Sequence, residues 1–523
     1  MPTIGTGLVF AATVSDRHEA EAKRPRHATA LGFLVLAGCI LAGPLFAGET
    51  PPNVVLIMAD DLGWRDLGYH GSEIETPHID RMAEAGLALE RFYVQPICSP
   101  TRAAVMTGKS PARLGVYRPI SKVDPKGLSL EETILPEFFK EAGYQTRMVG
   151  KWHLGHVEKR YFPQARGFEH FYGNLTGGIG YWDHNHGGGH DWQRNGVTLR
   201  EQGYATRLMV DEALRLIETR DPNRPLFLFA SFNAPHLPNE APDSSVAQYP
   251  ETMRPERRVH AAMVSELDAG VGRILAKLKA EGMRQDTLVW FFSDNGGLNR
   301  AASPEGVQRV VDGLVSVFGR PLPIGILEFV RENVDDGASD NAPLRGGKTG
   351  VYEGGIRVPS VISWPGRVAP GESDAFVTAQ DVLPTLLEAV GLASRIPGDL
   401  DGDGRWDAIR DDEVRGPEPD SMRAFRVEGL GGVALVRPPW KLVVQGPPLP
   451  FAGSEPELYN VYNDEGEKEN LADQFPETVA ELTAQLEAWP VGPSIHGSVF
   501  WTVVDPDTFG GPEDRDPWAE AAR

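Results

Sequence analysis

Cysteine is scarce in this chain of 523 residues, which contains only Cys39 and Cys98. Cys39 lies in an N-terminal segment with the features of a removable export signal. Without that segment, Cys98 has no second cysteine with which to form an internal disulfide. An unpaired cysteine in an exported protein is a reactive group, a site of intermolecular bridging or an accident of sequence. The stretch CSPTRAAVMTG at 98–108 is therefore a candidate functional segment.

Positive charge is also scarce, with 51 Lys and Arg residues against 73 Asp and Glu residues and a net charge of −22. Proteins that bind nucleic acids usually carry a basic face, so the composition argues against a nucleic-acid partner. The overall negative field also repels anionic substrates. Binding of an anionic substrate would therefore require a local cluster of Lys, Arg and His side chains.

One long apolar run, ATALGFLVLAGCILAGPLFA at 28–47, follows Arg24, Arg26 and His27. A basic flank, an apolar stretch and small residues at its end are typical of a secretory signal. Pro44 and the glycines of the run favour cleavage over a membrane anchor. We predict cleavage near Ala47, a periplasmic or secreted protein, and no stable membrane span in the mature chain. The segment LAGC also resembles a lipoprotein signal, and a lipid anchor on Cys39 is the less favoured alternative.

Four short apolar runs each end in polar or charged residues. They are NVVLIMADD (53–61), TRMVGKWH (146–153), LFLFASFNAPH (226–236) and TLVWFFSDNGG (287–297). Such continuous apolar strands, separated by helical segments at 131–142, 204–219 and 260–281, indicate an α/β protein whose large, mainly parallel sheet is sandwiched by helices. In an open sheet of this kind, ligands bind beyond the carboxyl ends of the strands. We therefore expect the polar clusters to meet at one edge of the sheet.

The sequence changes in character near residue 420. The segments RAFRVE, GVALVRP and WKLVVQ have the spacing of strands in hairpins, and a helical segment follows at 476–489. Residues after about 490 are rich in Pro, Gly and Asp, which predicts irregular structure. The predicted parts are a signal peptide at 1–47, a catalytic domain at 48–419, and a C-terminal subdomain and tail at 420–523, with a small antiparallel sheet and a helix.

Two acidic pairs at strand ends suggest a metal site: Asp60 with Asp61, and Asp294 with Asn295. Isolated Asp and Asn residues often only cap helices or form turns. Adjacent carboxylates, however, repel each other unless a cation or a proton lies between them. Because all of these ligands are oxygens, they favour Ca²⁺ or Mg²⁺ over Zn²⁺.

Positively charged and proton-transferring side chains occur in or near the same segments. Such a set suits an anionic group whose charge increases in the transition state. The candidates are Arg102, Lys151, His153, His236, Lys348 and, less directly, Arg345.

Three further motifs have other interpretations. APLRGGKT (342–349) lacks the first glycine of a phosphate loop, and Pro343 removes a backbone donor, which excludes nucleotide binding there. DLDGDGRWD (399–407) resembles a calcium loop, but its twelfth position is Arg410, so a polar loop is favoured over a second ion site. DHNHGGGH (183–190) predicts a loop whose histidines contact substrate, with a zinc site as the alternative.

Eight ordered blocks resemble the type I sulfatases, a family of the alkaline phosphatase-like group. They are ADDLGWRDLG (59–68), YVQPICSPTRAAVMTGK (93–109), VGKWHLG (149–155), GFEHFYG (167–173), APH (234–236), SDNGG (293–297), PLRGGKTGVYEGGIRVP (343–359) and ELYNVYNDEGEKENLA (457–472). The region around Cys98 is most similar to arylsulfatase B and related N-acetylgalactosamine sulfatases. Thr101 stands where many members have serine, which keeps the hydroxyl group.

The resemblance implies an alkaline phosphatase-like fold and a modified nucleophile. A formylglycine-generating enzyme would oxidise Cys98 to formylglycine, and one hydroxyl of the hydrated aldehyde, a gem-diol, would attack sulfur. The remaining hydroxyl would then expel sulfate. The resemblance also implies one Ca²⁺, bound by Asp60, Asp61, Asp294, Asn295 and the modified residue 98.

The resemblance assigns the remaining roles as well. Arg102 would hold the diol, and Lys151, His236 and Lys348 would bind the sulfate group. His153 would take the proton that allows sulfate to leave, and His236 or Lys348 would protonate the leaving alcohol.

The expected function is therefore hydrolysis of sulfate esters, on a sulfated glycan or a small sulfate ester. One alternative is a phosphate or phosphonate ester hydrolase of the same fold, since some such enzymes carry a similar cysteine motif. A second is a non-catalytic glycan-binding protein that has kept the fold. The segment 299–341 is expected to shape substrate access, because both of its flanks reach the predicted site.

Overall fold

The computed structural model describes residues 51–121, 124–299, 316–317, 337–411, 422–429, 432–445, 455–496 and 516–522. The predicted export signal with Cys39 and most of the 299–341 segment lie outside these residues, as do both predicted domain boundaries. Those boundaries and the export signal stay predictions. Among the described residues, no helix combines the length and apolar character needed to cross a membrane.

Strands and helices alternate through most of the described chain. The strands are β1 (Asn53–Ala59), β2 (Leu87–Leu89), β3 (Phe92–Tyr93), β4 (Gln145–Gly150), β5 (His170–Gly173), β6 (Asn185–His186), β7 (Gly189–His190), β8 (Gln193–Arg194), β9 (Val197–Thr198), β10 (Leu226–Ser231), β11 (Thr287–Ser293), β12 (Ser360–Ser363), β13 (Gly371–Ser373), β14 (Val377–Thr378), β15 (Phe425–Gly429), β16 (Gly432–Arg437), β17 (Trp440–Gln445) and β18 (Glu457–Asn460). The helices are α1 (Pro77–Glu84), α2 (Cys98–Thr107), α3 (Pro111–Leu114), α4 (Leu135–Glu141), α5 (Ala205–Glu218), α6 (Asp243–Val246), α7 (Pro255–Ala280), α8 (Glu353–Ile356), α9 (Val382–Ala389), α10 (Trp406–Arg410), α11 (Pro476–Glu487) and α12 (Trp518–Ala521).

A ten-stranded sheet organises the predicted catalytic domain (the catalytic part), in the order β13-β2-β12-β11-β1-β10-β4-β5-β8-β9. The neighbours β11, β1, β10, β4 and β5 are all parallel, whereas β12 and β8 run antiparallel to the strands beside them. The predicted mainly parallel sheet is thus confirmed, with antiparallel pairing at its flanks. The four strands expected from the apolar runs are β1, β4, β10 and β11.

Apolar side chains fill both faces of this sheet. Leu56 of β1 lies in a core cluster with residues of α2, α4 and α9, and the next residue, Ile57, lies in a cluster with residues of α5 and α7. Successive side chains of a strand point to opposite faces, so a strand covered by helices on both sides must be apolar throughout. This arrangement explains why β1 is an unbroken apolar run.

The C-terminal part forms the predicted small antiparallel sheet, in the order β15-β16-β17-β18. Leu482 and Leu486 of α11 pack on one face of it, and the other face packs against Tyr93 and Ile356 of the catalytic part. The prediction of irregular structure after about 490 is wrong at 518–521, which form a short helix. The side chain of Trp518 in this helix is buried.

A buried ion cluster joins the C-terminal sheet to the segment that follows Lys348. The ammonium group of Lys441 lies 3.0 Å from the Glu353 carboxylate and 2.8 Å from the Glu467 carboxylate. The Tyr93 hydroxyl donates a hydrogen bond of 2.9 Å to Glu353. Removal of one member of a buried charge cluster leaves the others uncompensated, so such clusters hold their segments in one arrangement. The C-terminal sheet therefore fixes helix α8, five residues after Lys348.

Candidate active site

Four adjacent strands deliver the predicted site residues to one edge of the sheet. Asp60 follows β1, Lys151 follows β4 and Asp294 follows β11, while His236 lies five residues beyond the end of β10. Backbone hydrogen bonds from Asp60 to Ala234 (3.2 Å) and from Asp294 to Ala59 (3.0 Å) continue the strand pairing into the site. The carboxyl ends of the strands thus meet as the apolar runs predicted.

Oxygen, sulfur and nitrogen atoms that could bind a metal ion lie together at this edge. Possible ligand atoms of Asp60, Asp61, Cys98 and His236 all lie within 4.8 Å of one another. Asn295 donates a hydrogen bond of 2.8 Å to Asp61, while its own Oδ1 is buried and accepts no hydrogen bond from the described residues. A buried oxygen without a donor beside carboxylates fits a hard cation such as Ca²⁺.

Three basic side chains pair with the three carboxylates, and all six side chains are buried. The distance from Lys151 Nζ to Asp60 Oδ2 is 2.6 Å, and Lys348 Nζ lies equally close to Asp61 Oδ2. Arg102 donates from Nε (3.0 Å) and Nη2 (2.8 Å) to Oδ2 of Asp294. Buried charges of this density require close partners. The site therefore combines anionic and cationic groups within one small volume.

The pKa values of the Asp60 and Asp294 carboxyl groups are shifted in opposite directions. Burial alone would raise the pKa of Asp60, but the positive charges of Lys151 and His236 outweigh it and hold this pKa well below its usual range. Burial, together with the negative charge of Asp60, raises the pKa of Asp294 to about 7. Arg102 alone thus does not offset the cost of burying the Asp294 charge, and a cation at the site would reduce that cost.

The two predicted catalytic histidines differ in their surroundings. His153 is buried, and its Nδ1 has no hydrogen-bond partner among the described residues. Burial and the nearby charge of Lys151 lower its pKa well below the usual value, so the ring is a neutral proton acceptor. His236 is 19% exposed, and its Nε2 lies 3.6 Å from Asp61 Oδ2. Its Nδ1 is 2.6 Å from the Leu237 carbonyl, which accepts a hydrogen bond from it.

Cys98 is the first residue of α2, a helix in which every residue is buried. Its Sγ lies 3.5 Å from Oδ1 of Asp60. Burial raises the pKa of the thiol to about 12, and the Asp60 carboxylate adds to this effect, although Lys151 opposes it. Since the thiolate is the nucleophilic form of cysteine, an unmodified Cys98 is poorly suited to attack a substrate.

The residues after Cys98 fix the start of the helix. The hydroxyl of Thr101 accepts a hydrogen bond from the Gln95 amide (3.0 Å) and donates one to the Gln95 carbonyl (3.1 Å). Ser99 donates a hydrogen bond of 2.9 Å to the carbonyl of His153. Pro100 occupies the first turn, where its missing N–H costs no helical hydrogen bond. This stretch therefore links the start of the helix directly to the segment that carries His153.

Two residues of the site have unusual backbone conformations. Asp61 (φ 66°) and His153 (φ 58°) both adopt left-handed conformations. Such conformations are unfavourable for residues other than glycine and are retained only where the surroundings enforce them, often at functional sites.

The histidine-rich segment and the acidic loop take no part in the three ion pairs described above, although His186 lies near enough to His153 to lower its pKa. His184, His186 and His190 each contact a backbone carbonyl, and the described residues show no metal-binding group around them, so the zinc alternative is not supported. In the acidic loop, Asp399 pairs with Lys109, Asp401 with Arg113 and Asp403 with Arg423, which agrees with a polar loop. Arg345 packs on the ring of Tyr352, 3.7 Å from its centroid, and donates to Tyr459 rather than to the site.

Both flanks of the 299–341 segment are anchored beside the site. Asn341 exchanges two hydrogen bonds of 2.9 Å with the backbone of Gly297. Ser339 and the Asp340 amide donate to the buried carboxylate of Asp66, which also contacts His260. The role of the intervening residues in substrate access stays a prediction, because they lie outside the described residues.

A model of the sulfatase family matches residues 52–392, which is more than half of the chain. The chain belongs to the sulfatase family. Arylsulfatase J of Mus musculus is 34% identical over 388 residues, which cover 72% of this chain and 58% of that protein. N-acetylgalactosamine-6-sulfatase of Canis lupus familiaris is 32% identical over 400 residues, covering 72% of this chain and 69% of the relative. The match thus spans little more than half the length of arylsulfatase J.

Solved structures of similar shape include other sulfatases. The complex of Ps i-CgsB with k-i-k-neocarrahexaose superposes with a TM-score of 0.71 and 28% identity, covering 86% of this chain and 97% of that chain. The PsFucS1 sulfatase from Pseudoalteromonas sp. shares the fold, with a TM-score of 0.65. The predicted alkaline phosphatase-like architecture is confirmed by this agreement.

Two serines of this sulfatase-family site were not predicted from the sequence. Ser231 accepts a hydrogen bond of 2.7 Å from Arg102 and donates to the Lys151 carbonyl. Ser293 accepts from the Leu62 amide (3.0 Å) and donates to the Asn295 carbonyl (2.8 Å). Ser231 is the last residue of β10, and Ser293 is the last residue of β11. A polar residue at the end of an apolar run is the sequence signal that points to such a role.

Proposed function

We propose that this protein hydrolyses sulfate esters of carbohydrates. The observation that carries the proposal is the buried group in which Cys98 and Asp60 lie beside Asp61, with Lys151 and Lys348 paired to the two carboxylates. Such a site offers a nucleophile position, oxygen ligands for a cation and fixed positive charges for an anionic group. Membership of the sulfatase family supports sulfate as that group.

We further propose that residue 98 acts as formylglycine and not as cysteine. The buried thiol is a poor nucleophile, and the described residues contain no other cysteine. A hydrated aldehyde at this position would supply the attacking oxygen and a second hydroxyl that allows the sulfate ester to be released. Maturation would then require a formylglycine-generating enzyme, in keeping with an exported protein.

The oxygen-rich group would hold one Ca²⁺. Asp60, Asp61, Asp294 and Asn295 would bind it together with the modified residue 98. The ion would supply positive charge that neutralises sulfate oxygens and acidifies the hydroxyl groups of residue 98. Two observations support this assignment: Oδ1 of Asn295 accepts no hydrogen bond from the residues that the structure describes, and the pKa of Asp294 is raised.

The remaining residues would bind the substrate and move protons. Lys151, Lys348 and His236 surround Asp60 and Asp61, and their positive or donor groups would bind the sulfate oxygens. Arg102 donates to both Asp294 and the Lys151 carbonyl, and it would hold the residue 98 side chain in place.

Proton transfer would fall to the histidines and to Lys348. Neutral His153 would accept the proton as sulfate leaves, because burial keeps its ring uncharged. His236, partly exposed at the mouth of the site, or Lys348 would protonate the leaving alcohol.

A sulfated carbohydrate is the proposed substrate class. Among the relatives, one is named for N-acetylgalactosamine-6-sulfate, and a solved sulfatase with 28% identity binds k-i-k-neocarrahexaose. The negative charge of the whole chain opposes binding of polyanions, so the basic groups of the site must supply the attraction.

Sulfate and phosphate esters of the same phenol test this function. We expect kcat/KM for 4-nitrophenyl sulfate to exceed that for 4-nitrophenyl phosphate by about 100-fold or more, because the site is matched to the charge of a sulfate monoester. The measurement uses protein made in a host that can form formylglycine, with sulfated oligosaccharides as a second substrate set. Faster turnover of the phosphate ester would instead favour a phosphate or phosphonate ester hydrolase.

A further inference from the structure

The C-terminal segment 516–522 is buried against the catalytic part of the chain. Trp518 is only 3% exposed, and Ala519 and Ala522 are also buried. Ala522 belongs to the core cluster that contains residues of β1 and α2. This segment lies beyond the residues 52–392 that the family model matches, so its role does not follow from that match.

Trp518 contacts the segment that carries His153 and also the hairpin formed by β6 and β7. Its indole ring packs edge-on against His156, with a centroid distance of 5.0 Å, and His156 lies three residues after His153. Its Nε1 donates a hydrogen bond of 3.0 Å to the carbonyl of His186 in β6. The tryptophan therefore bridges the segment after β4 and the hairpin formed by β6 and β7.

The hairpin in turn packs against the loop at 177–178, which lies against both proposed catalytic histidines. Nδ1 of His186 is 2.6 Å from the Gly178 carbonyl. A methyl group added at Gly178 would come within 2.6 Å of His236 Nδ1, and one added at Gly177 within 3.2 Å of His153 Cε1. The backbone at 177–178 thus forms a wall behind the rings of His153 and His236. This wall has no space to move toward either ring.

We propose that Trp518 is a positioning residue that holds this wall, and with it His153 and His236, in their working arrangement. Loss of the indole would remove the packing on His156 and the hydrogen bond to His186 together. The 177–190 segment would then be free to shift, and small displacements of catalytic groups reduce the rate strongly. The kinetic test of this inference rests on the proposed hydrolase function. The hydrogen-exchange test does not.

Three variants of the full chain test the proposal: Trp518→Ala, Trp518→Phe and the control Trp406→Ala. Trp406 also lies on a short helix and packs against another tryptophan, Trp364, at 5.6 Å. Hydrogen exchange followed by mass spectrometry should show protection of residues 174–192 falling about tenfold in Trp518→Ala and not in the control. Trp518→Phe keeps a ring against His156 and loses the N–H donor, so its loss of protection should be intermediate.

Kinetics on an aryl sulfate provide the second measurement. We expect kcat to fall about tenfold in Trp518→Ala with a smaller change in KM, because both histidines are proposed to move protons, whereas Lys151 and Lys348 still bind sulfate when His236 shifts. The proposal is overturned if Trp518→Ala matches the wild type or the Trp406→Ala control in both protection and kcat. If the wild type hydrolyses no sulfate ester, the proposed function fails, while hydrogen exchange still decides whether Trp518 holds the wall.

Discussion

Replacement of Cys98 by alanine is expected to abolish sulfate ester hydrolysis, with kcat/KM falling by about 10⁴-fold or more. Alanine cannot be oxidised to an aldehyde, so the variant lacks the oxygen nucleophile that residue 98 is proposed to provide. The substitution removes a single buried sulfur atom, which leaves the helix that begins at residue 98 able to form. Turnover of an aryl sulfate, measured together with the thermal unfolding midpoint, separates loss of chemistry from loss of fold.

The matched control lies in the same motif. Thr101→Ser keeps the hydroxyl that exchanges hydrogen bonds with the Gln95 backbone. We expect its kcat/KM to stay within about threefold of the wild-type value, since only one methyl group is lost. Substantial activity in Cys98→Ala would contradict a nucleophile at residue 98, whatever the behaviour of the control.

Removal of Ca²⁺ is expected to eliminate activity and to lower the thermal unfolding midpoint. The carboxylates of Asp60, Asp61 and Asp294 lie close together, and a bound cation relieves their repulsion. A ligand that binds only the folded state at 100 times its Kd stabilises that state by about 2.7 kcal/mol. Chelation, dialysis and readdition of Ca²⁺ should therefore remove and restore both activity and stability.

An asparagine at position 61 tests which carboxylates bind the ion. Asp61→Asn keeps the shape of the side chain but removes its charge, and we expect Ca²⁺ affinity measured by calorimetry to fall about 100-fold. Asp403→Asn is the control, because Asp403 belongs to the acidic loop and pairs with Arg423. Equal Ca²⁺ affinity in Asp61→Asn and the wild type, or full activity after verified removal of the ion, would contradict the proposed metal site.

Much of the site could be predicted because its residues follow apolar strands. In a parallel sheet the strand direction fixes where the carboxyl ends lie, so Asp60, Lys151 and Asp294 had to meet once β1, β4 and β11 were recognised. The proximity of Cys98 to this edge came from the family resemblance. The position of His236, five residues past the end of β10, came from the apolar run LFLFASFNAPH and from the APH block.

Other features depend on contacts that local sequence patterns do not specify. Trp518 lies in a polar tail, and nothing near it in sequence indicates that its ring packs on His156. Nothing in the sequence around Gly177 and Gly178 indicates that the absence of their side chains brings the backbone close to His153 and His236. The pairing of His184, His186 and His190 with backbone carbonyls is likewise not visible in the sequence, and their contact with substrate stays a prediction.

The charged side chains of the site are neutralised by buried ion pairs and not by contact with solvent. Lys151 with Asp60 and Lys348 with Asp61 are both buried pairs at 2.6 Å. Burying such pairs costs solvation energy that their attraction only partly returns, so they are seldom retained for stability alone. Their concentration at one strand edge, next to a residue proposed to be modified, agrees with a role in binding the sulfate group of a substrate and a metal ion.

Mass spectrometry of the peptide that contains residue 98, from protein made in a host able to form formylglycine, tests the central claim most directly. The account predicts a peptide in which one sulfur and two hydrogens are replaced by one oxygen, and a fraction converted that tracks the specific activity of each preparation. Fully active protein whose residue 98 is an unmodified cysteine would contradict it.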